Sequence, residues 1–393
     1  MRFACLAVLW MCMYSLFGQD IWIQKDSIKG PPRSGIASFV LGNRGYVVGG
    51  FLGSESSRKM YSYSKNQDDW DDELSLGDST GGGLERHLAC GFSMNNKGYI
   101  TLGQGLGAPF MKDLWEFDKA TQTWTQKADF PGTPRRAAAS FVVNGFAYIG
   151  TGEDAQGLCN DMFRYDPLTN LWDPVSSFPG GGRRQAAAFE LNGYGWIATG
   201  DGGMLKNDLW SYNTVTDLWQ QKADLPGQAR AGAVAWSTSP SAYVATGQNP
   251  QGEFLGDVWQ YNYYQNAWVQ KNDFGGGPRT NACAFVINGS AFLGGGYNGN
   301  LLDDFYGYTG LASAQEEQQD DLEVFPNPSN GTFYVRGTNA PIHCEIMGLD
   351  GRKVSSMELT EFQPASIEGF PSGTYLLHLT LSNRLWIKCI VKQ

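Results

Sequence analysis

The chain has 393 residues, with 29 Lys and Arg against 39 Asp and Glu, for a formal charge of −10. That acidic balance argues against nucleic acid or an anionic membrane surface as the main partner. Fifty-one Gly, 13 Trp and 18 Tyr fit a turn-rich all-β chain and not a helical one.

Residues 1–18 read as a signal peptide. Arg2 supplies the positive end, Phe3 to Phe17 is an apolar run too short to span a bilayer, and Gly18 precedes Gln19. No transmembrane span is expected in the mature form. Five cysteines remain after it: Cys90, Cys159, Cys283, Cys344 and Cys389. An odd number without close spacing is neither a disulfide framework nor a zinc site. Cys90 and Cys283 stand where other repeats carry Ala139 and Ala187, so they read as small core residues. Cys344 and Cys389 are left open as a pair.

From Arg33 onward one unit recurs six times. An Arg is followed six residues later by an aromatic: Arg33/Phe39, Arg86/Phe92, Arg135/Phe141, Arg183/Phe189, Arg230/Trp236 and Arg279/Phe285. Small residues lie between, and a tight turn such as Asn144-Gly145 follows, where both positions tolerate positive φ. Next come an apolar run ending in Gly-Gly or Thr-Gly, a loop, an aromatic strand and a closing Trp. The closing residues Trp70, Trp124, Trp172, Trp219 and Trp268 stand roughly 50 residues apart, the mark of a repeat architecture. Four antiparallel strands per unit make a twisted sheet that cannot bury both faces alone. Radial packing of six sheets buries them and leaves short edges, which is a β-propeller.

The sixth unit ends near Tyr308 without its Trp strand. The N-terminus has a spare one, Trp22-Ile23-Gln24-Lys25-Asp26, which matches Trp124-Thr125-Gln126-Lys127. That strand is expected to complete the last blade. The units resemble kelch repeats, with a Gly-Gly after the second strand, an aromatic third strand and the spaced Trp. The diglycine reads as Gly49-Gly50 and Gly294-Gly295, and drifts to Leu102-Gly103, Thr151-Gly152, Thr199-Gly200 and Thr246-Gly247. The resemblance covers residues 19–310 and implies a scaffold used for protein binding, glycan binding and some enzymes.

Residues 311–321 form a polar, acidic linker. Residues 322–393 are a module of alternating strands, expected to be a small C-terminal β-sandwich. Its blocks are Val324-Phe325-Pro326-Asn327-Pro328, Leu349-Asp350-Gly351-Arg352-Lys353-Val354, Phe370-Pro371-Ser372-Gly373-Thr374-Tyr375-Leu376 and the tail Lys388-Cys389-Ile390-Val391-Lys392-Gln393. In that order they resemble the type A sorting domain of the type IX secretion system of Bacteroidota. The resemblance implies handling by that machinery, with export through the periplasm and then release or surface attachment.

Catalytic constellations are sparse. His87 is the one His of the repeats, so a His-rich metal site cannot be built there, and neither metal nor cofactor is expected. No motif supports a Ser-His-Asp triad around His87. Gly103-Gln104-Gly105-Leu106-Gly107 precedes no helix, so it is not a dinucleotide loop. Asp68-Asp69-Trp70-Asp71-Asp72-Glu73 lacks calcium-loop spacing and reads as a solvated turn.

Topology places the six Arg and the loops between second and third strands at one mouth of the channel, with the Asn-Gly turns at the other. Arg33, Arg86, Arg135, Arg183, Arg230 and Arg279 either make an electropositive mouth suited to a carboxylate or acidic sugar, or brace their blades internally. Six-fold recurrence favours bracing. Residues that break the repeat symmetry are Phe51, Phe110, Glu153, Asp154, Asp201 and Tyr297, the further candidate ligand contacts. The expected function is a secreted or surface propeller that binds glycan or protein. A sugar epimerase or mutarotase using a carboxylate such as Glu153 is an alternative, because bacterial kelch propellers acting on sialic acid make that chemistry conceivable. A structural envelope protein is a third reading.

Overall fold

The computed structural model describes residues 20–77, 84–107, 109–309, 323–325, 327, 329–336, 341–348, 352–360, 363–381 and 384–392. The expected signal peptide and the expected linker lie outside the described residues. The chain divides into two compact units, Met1–Leu311 and Ala312–Gln393.

The first unit is built from six four-stranded antiparallel sheets. Blade 3 shows the plan. Ala139–Val143 pairs with Phe146–Gly150, then Met162–Asp166 and Leu171–Val175 follow outward. Asn144 and Gly145 make the first turn at φ of +52° and +82°, the left-handed pair that suits a two-residue hairpin. In blade 6 the N-terminal Ile21–Lys25 pairs with Leu301–Thr309, with Ile21 opposite Thr309 and Lys25 opposite Phe305. The ring is thus closed by the N-terminal strand, as the sequence predicts.

Alternation along the first strands sorts side chains by size. Phe39, Phe92, Phe141, Phe189, Trp236 and Phe285 are buried between blades, while Ser38, Gly91, Ser140, Ala188 and Ala284 line the narrow axial channel. The aromatics need room in the neighbouring sheet, and glycine provides it. A Cβ at Gly45, Gly98 or Gly195 would overlap the ring of Phe285, Phe39 or Phe141. In blades 1 to 5 the repeat Trp residues latch each blade to the one before. Their indole N–H groups donate to the carbonyls of Asp26, Leu74, Ala128, Ser176 and Ala223, at 3.0, 3.0, 2.9, 3.0 and 2.8 Å.

Two circles of backbone hydrogen bonds join all six blades. In the first, the N–H of Gly50, Gly103, Gly152, Gly200, Gly247 and Gly296 donates to the carbonyl of the next blade's Arg, and Gly296 closes back on Arg33 at 2.8 Å. The second runs through Gly35, Leu88, Ala137, Gln185, Gly232 and Asn281, each N–H donating to the carbonyl of the one before, with Gly35 closing on Asn281 at 2.8 Å. All six of the latter have positive φ, from +51° to +66°. The first circle also corrects a register: the glycine pair of blade 6 equivalent to Gly49-Gly50 is Gly295-Gly296, one residue later than the sequence pattern places it.

The second unit holds a three-stranded sheet built from Glu323–Phe325, Thr332–Arg336 and Ala365–Ser366. Its four-stranded sheet is built from Lys353–Leu359, Ile342–Gly348, Gly373–Leu381 and Arg384–Lys392. Phe333, Ile342, Ile346, Leu377, Leu379 and Ile390 are among its buried core. Asn327 clamps the last strand, donating to the Cys389 carbonyl at 2.8 Å and accepting from the Val391 N–H at 2.9 Å. Cys344 is buried and Cys389 exposed, and both are free thiols.

Candidate functional site

Three consecutive residues of each blade take three different roles. The first is the repeat Arg, and all six are at most 1% exposed. Each sends Nη1 to the carbonyl that ends its second strand: Gly49, Leu102, Thr151, Thr199, Thr246 or Gly295, at 2.9–3.1 Å. Five also grip a carboxylate with both terminal nitrogens. Arg86 holds Asp113 at 2.8 and 2.7 Å, and Arg183 holds Asp208 at 2.7 and 2.9 Å. Asp161, Asp257 and Asp304 serve Arg135, Arg230 and Arg279 alike. The electropositive mouth is therefore corrected. Arg33, Arg86, Arg135, Arg183, Arg230 and Arg279 are internal braces, and in all but Arg33 both terminal nitrogens are taken by a carboxylate of the same blade, because a guanidinium buried this deeply must be hydrogen-bonded to be tolerated.

The second residue of each triplet forms the mouth. Ser34, His87, Arg136, Arg184, Ala231 and Thr280 bridge in antiparallel fashion to Phe51, Gln104, Glu153, Asp201, Gln248 and Tyr297. Four of these twelve, Phe51, Glu153, Asp201 and Tyr297, are candidates from the sequence. Arg136 and Arg184, the partners of Glu153 and Asp201, are legible only as the residue following each repeat Arg, a position the repeat leaves free to vary.

The third residue belongs to the inner hydrogen-bonded circle and narrows the channel. Gln185 Nε2 donates to Asn281 Oδ1 at 2.7 Å, reaching past Gly232, where a Cβ would crowd the Thr280 hydroxyl and Asn281 Oδ1. At the level of this amide pair the channel space is only about 120 Å³.

Above it, on the side of blades 1 and 2, opens a cavity of about 480 Å³. Phe51, His87, Gln104, Leu106, Arg136 and Asn281 supply its side-chain character. Gln104 to Gly107, part of the poor phosphate loop of the sequence, is one of its walls. His87 Nδ1 lies 2.9 Å from the Ser56 hydroxyl, and its ring is 5.6 Å from that of Phe51. Burial, and then the charge of Arg136, hold the His87 imidazolium pKa below its ordinary value, so the ring is neutral at pH 7.

A charge relay crosses the rest of the mouth. Arg136 donates to Gln104 Oε1 at 2.9 Å and to Glu153 Oε2 at 3.0 Å. Glu153 Oε1 accepts from Arg184 at 2.7 Å, and Arg184 reaches Asp201 at 2.9 Å. Burial disfavours the Glu153 carboxylate, but hydrogen bonds from Arg184 and Arg136 outweigh it and keep its pKa below the usual carboxylate range. Two cations against two anions leave the relay balanced. Among the other candidates, Phe110 lies under the Arg136 guanidinium at 5.5 Å. Asp154 caps its own loop through Thr133 and the Gln156 and Gly157 N–H groups. Tyr297 stands at the blade 6 side, edge-on to Phe254.

Comparison with known proteins bears on the fold and the sorting domain. Residues 23–189 match the KLHDC2/KLHL20/DRC7 Kelch-repeats domain, and residues 323–393 match the secretion system C-terminal sorting domain. No curated protein matches the chain. A solved structure titled "Structure of YjhT" superposes with a TM-score of 0.60 at 15% identity, covering 72% of this chain and 95% of that one, a likeness of fold alone. Kelch repeats and a type IX sorting domain are thus combined in one chain, and the sorting domain indicates export through the periplasm for secretion or display at the cell surface.

Proposed function

We propose that this exported propeller is a glycan-binding module and that its ligand sits in the mouth cavity beside blades 1 and 2. One observation carries the reading. The cavity, about 480 Å³, brings together an aromatic face, an imidazole, two amides and a guanidinium. Sugar recognition uses this mixture, with a flat apolar surface for the ring and fixed donors and acceptors for hydroxyls. Phe51 supplies the face. Arg136, anchored by Glu153 and Gln104, offers donors to a hydroxyl or carboxylate, and Asn281 adds its amide. In the same proposal residues 1–18 are removed on export and 311–321 tether the sorting module.

A glycan array with residues 19–310, including sialylated and uronic-acid glycans, tests it. Selective binding that Arg136→Ala abolishes is the expected result. A clean negative, with a protein recovered in surface pull-down, would overturn it.

A catalytic use of the same cavity is favoured by His87, a neutral imidazole on its wall. Epimerisation or mutarotation needs a group that can take a proton near pH 7. Glu153, kept ionised by two Arg, is a weak base and has no proton to give. The catalytic reading therefore moves from Glu153 to His87. Exchange of sugar anomers followed by NMR should be lost in His87→Gln and kept in Glu153→Gln.

A further inference from the structure

Each loop between second and third strands sends two residues to the mouth. The inner one bridges on one side to the second residue of its blade's triplet and on the other to the outer one. In blades 2 to 5 the inner residue is polar: Gln104, Glu153, Asp201 or Gln248. In blades 6 and 1 it is aromatic, Tyr297 and Phe51. Blade 6 adjoins blade 1 where the ring closes, so the mouth has one aromatic arc, across from the ionic relay of blades 3 and 4.

Backbone bonds set the two aromatics on either side of one extended segment. The Gly296 N–H donates to the Arg33 carbonyl, and the Phe51 N–H to the Ser34 carbonyl, both at 2.8 Å. Tyr297 follows Gly296 as Ser34 follows Arg33. Two interstrand steps therefore separate the two backbones, about 10 Å.

The two rings have different surroundings. Phe51 lies against His87 and lines the cavity. Tyr297 stands outside the cavity and is 40% exposed. Its ring is held in a T-shaped contact with Phe254, 5.8 Å between centroids. Behind it Thr280 is buried, and the next residue, Asn281, belongs to the cavity wall. No charge stands at the bridged positions on this side: Ala231, Thr280 and Ser34 face Gln248, Tyr297 and Phe51. An oriented aromatic ring with a polar tip, left open beside a ligand cavity in uncharged surroundings, suits the apolar face of a neutral sugar.

Resting on the glycan-binding reading above, we propose that the mouth takes an oligosaccharide and not a single sugar. The terminal ring enters the cavity over Phe51, within reach of Arg136. An uncharged second or third ring leaves it over Tyr297. The cavity thus reads the end of the glycan, and Tyr297 reads its continuation.

The test is chain length. Acidic and neutral terminal sugars are each presented to the full chain alone, on one neutral hexose and on two, and the dissociation constants are measured by titration. Affinity is expected to rise about tenfold from the single sugar to the longer members. Tyr297→Ala should abolish that rise and leave the single sugar bound as before, while Tyr297→Phe should keep it. Equal affinity at all lengths, or a rise that survives in Tyr297→Ala, overturns the oligosaccharide site and leaves the glycan reading standing. Failure of every member to bind overturns both. Should Tyr297→Ala not fold, Tyr297→Leu keeps apolar bulk without the flat face, and a rise that survives in it overturns the site equally.

Discussion

Arg183 and Arg184 are neighbours of one residue type with opposite fates. Arg183 is buried, holds Asp208 with two hydrogen bonds and recurs in every blade. Arg184 is about one-third exposed, bridges Glu153 to Asp201 and is matched only by Arg136 in the next blade round. The difference teaches how a repeat protein separates stability from recognition. Extended backbone turns successive side chains to opposite sides, so a single step along the chain moves from brace to mouth. Selection on one position leaves the other free.

The comparison can be broken most severely where all blades depend on one strand. Deleting Ile21–Asp26 removes the fourth strand of blade 6 together with Trp22, whose loss alone is worth about 3–5 kcal/mol. The cooperative thermal transition of the ring should be lost or moved far down. An unchanged melting curve would deny that this strand closes the propeller.

Arg183→Ala comes next. It leaves the Thr199 carbonyl without its donor and Asp208 with only the Trp210 indole N–H, and removing one partner of a buried pair costs about 3–5 kcal/mol. Arg184→Ala, one residue away, should cost about 1 kcal/mol or less in a denaturant titration, because its pairs are partly exposed. Equal costs at the two positions would erase the distinction between brace and mouth.

Acid provides a third test. At Asp113 and Asp257 burial opposes the charged form, but the hydrogen bonds from Arg86 and Arg230 prevail and lower both pKa values. The folded pKa then lies below the unfolded one of about 3.9. The stability these pairs contribute is complete above that pH and is lost as pH falls through the folded values. Melting temperatures from pH 7 to pH 3 should hold until about pH 4 and then drop. A decline already complete at pH 5 would point to other groups.

The smallest effect on stability, and the sharpest on recognition, is expected at Arg136. Arg136→Ala should shift the melting transition within about 1 kcal/mol while removing the selective glycan signal.

The ring, its six blades and its closure were legible because they rest on repetition. Spaced Trp, the Arg-to-aromatic pairs and the spare strand at Trp22 each recur or complete a count. The bracing of the six Arg was also within reach, since a feature repeated six times serves the repeat. Its partners could have been found too, as Asp113, Asp161, Asp208 and Asp257 each directly precede a third strand and Asp304 directly precedes the aromatic Phe305 within Leu301–Thr309. The mouth was half legible. Phe51, Glu153 and Asp201 stand out as loop residues that break symmetry. Arg136 and Arg184 were hidden beside the Arg pattern, and their pairing across blades depends on side-chain hydrogen bonds to Gln104 and Glu153 that no single repeat encodes. Gln185 and Asn281 were out of reach altogether. They meet over Gly232 because of left-handed backbone at three separate blades, a conformation that Gln and Asn do not announce.

The inner circle of Gly35, Leu88, Ala137, Gln185, Gly232 and Asn281 has a consequence for the field at the mouth. Its six N–H groups all donate in one rotational sense, so their bond dipoles lie along the rim and cancel round the loop. A helix adds its peptide dipoles head to tail and presents a pole to any ligand at its end. This circle is just as fully hydrogen-bonded and presents none. The potential a ligand meets at the propeller axis is therefore left to the side chains standing on the circle. Exchanging those side chains can retune the mouth from anion-seeking to cation-seeking without opposition from the backbone that holds them.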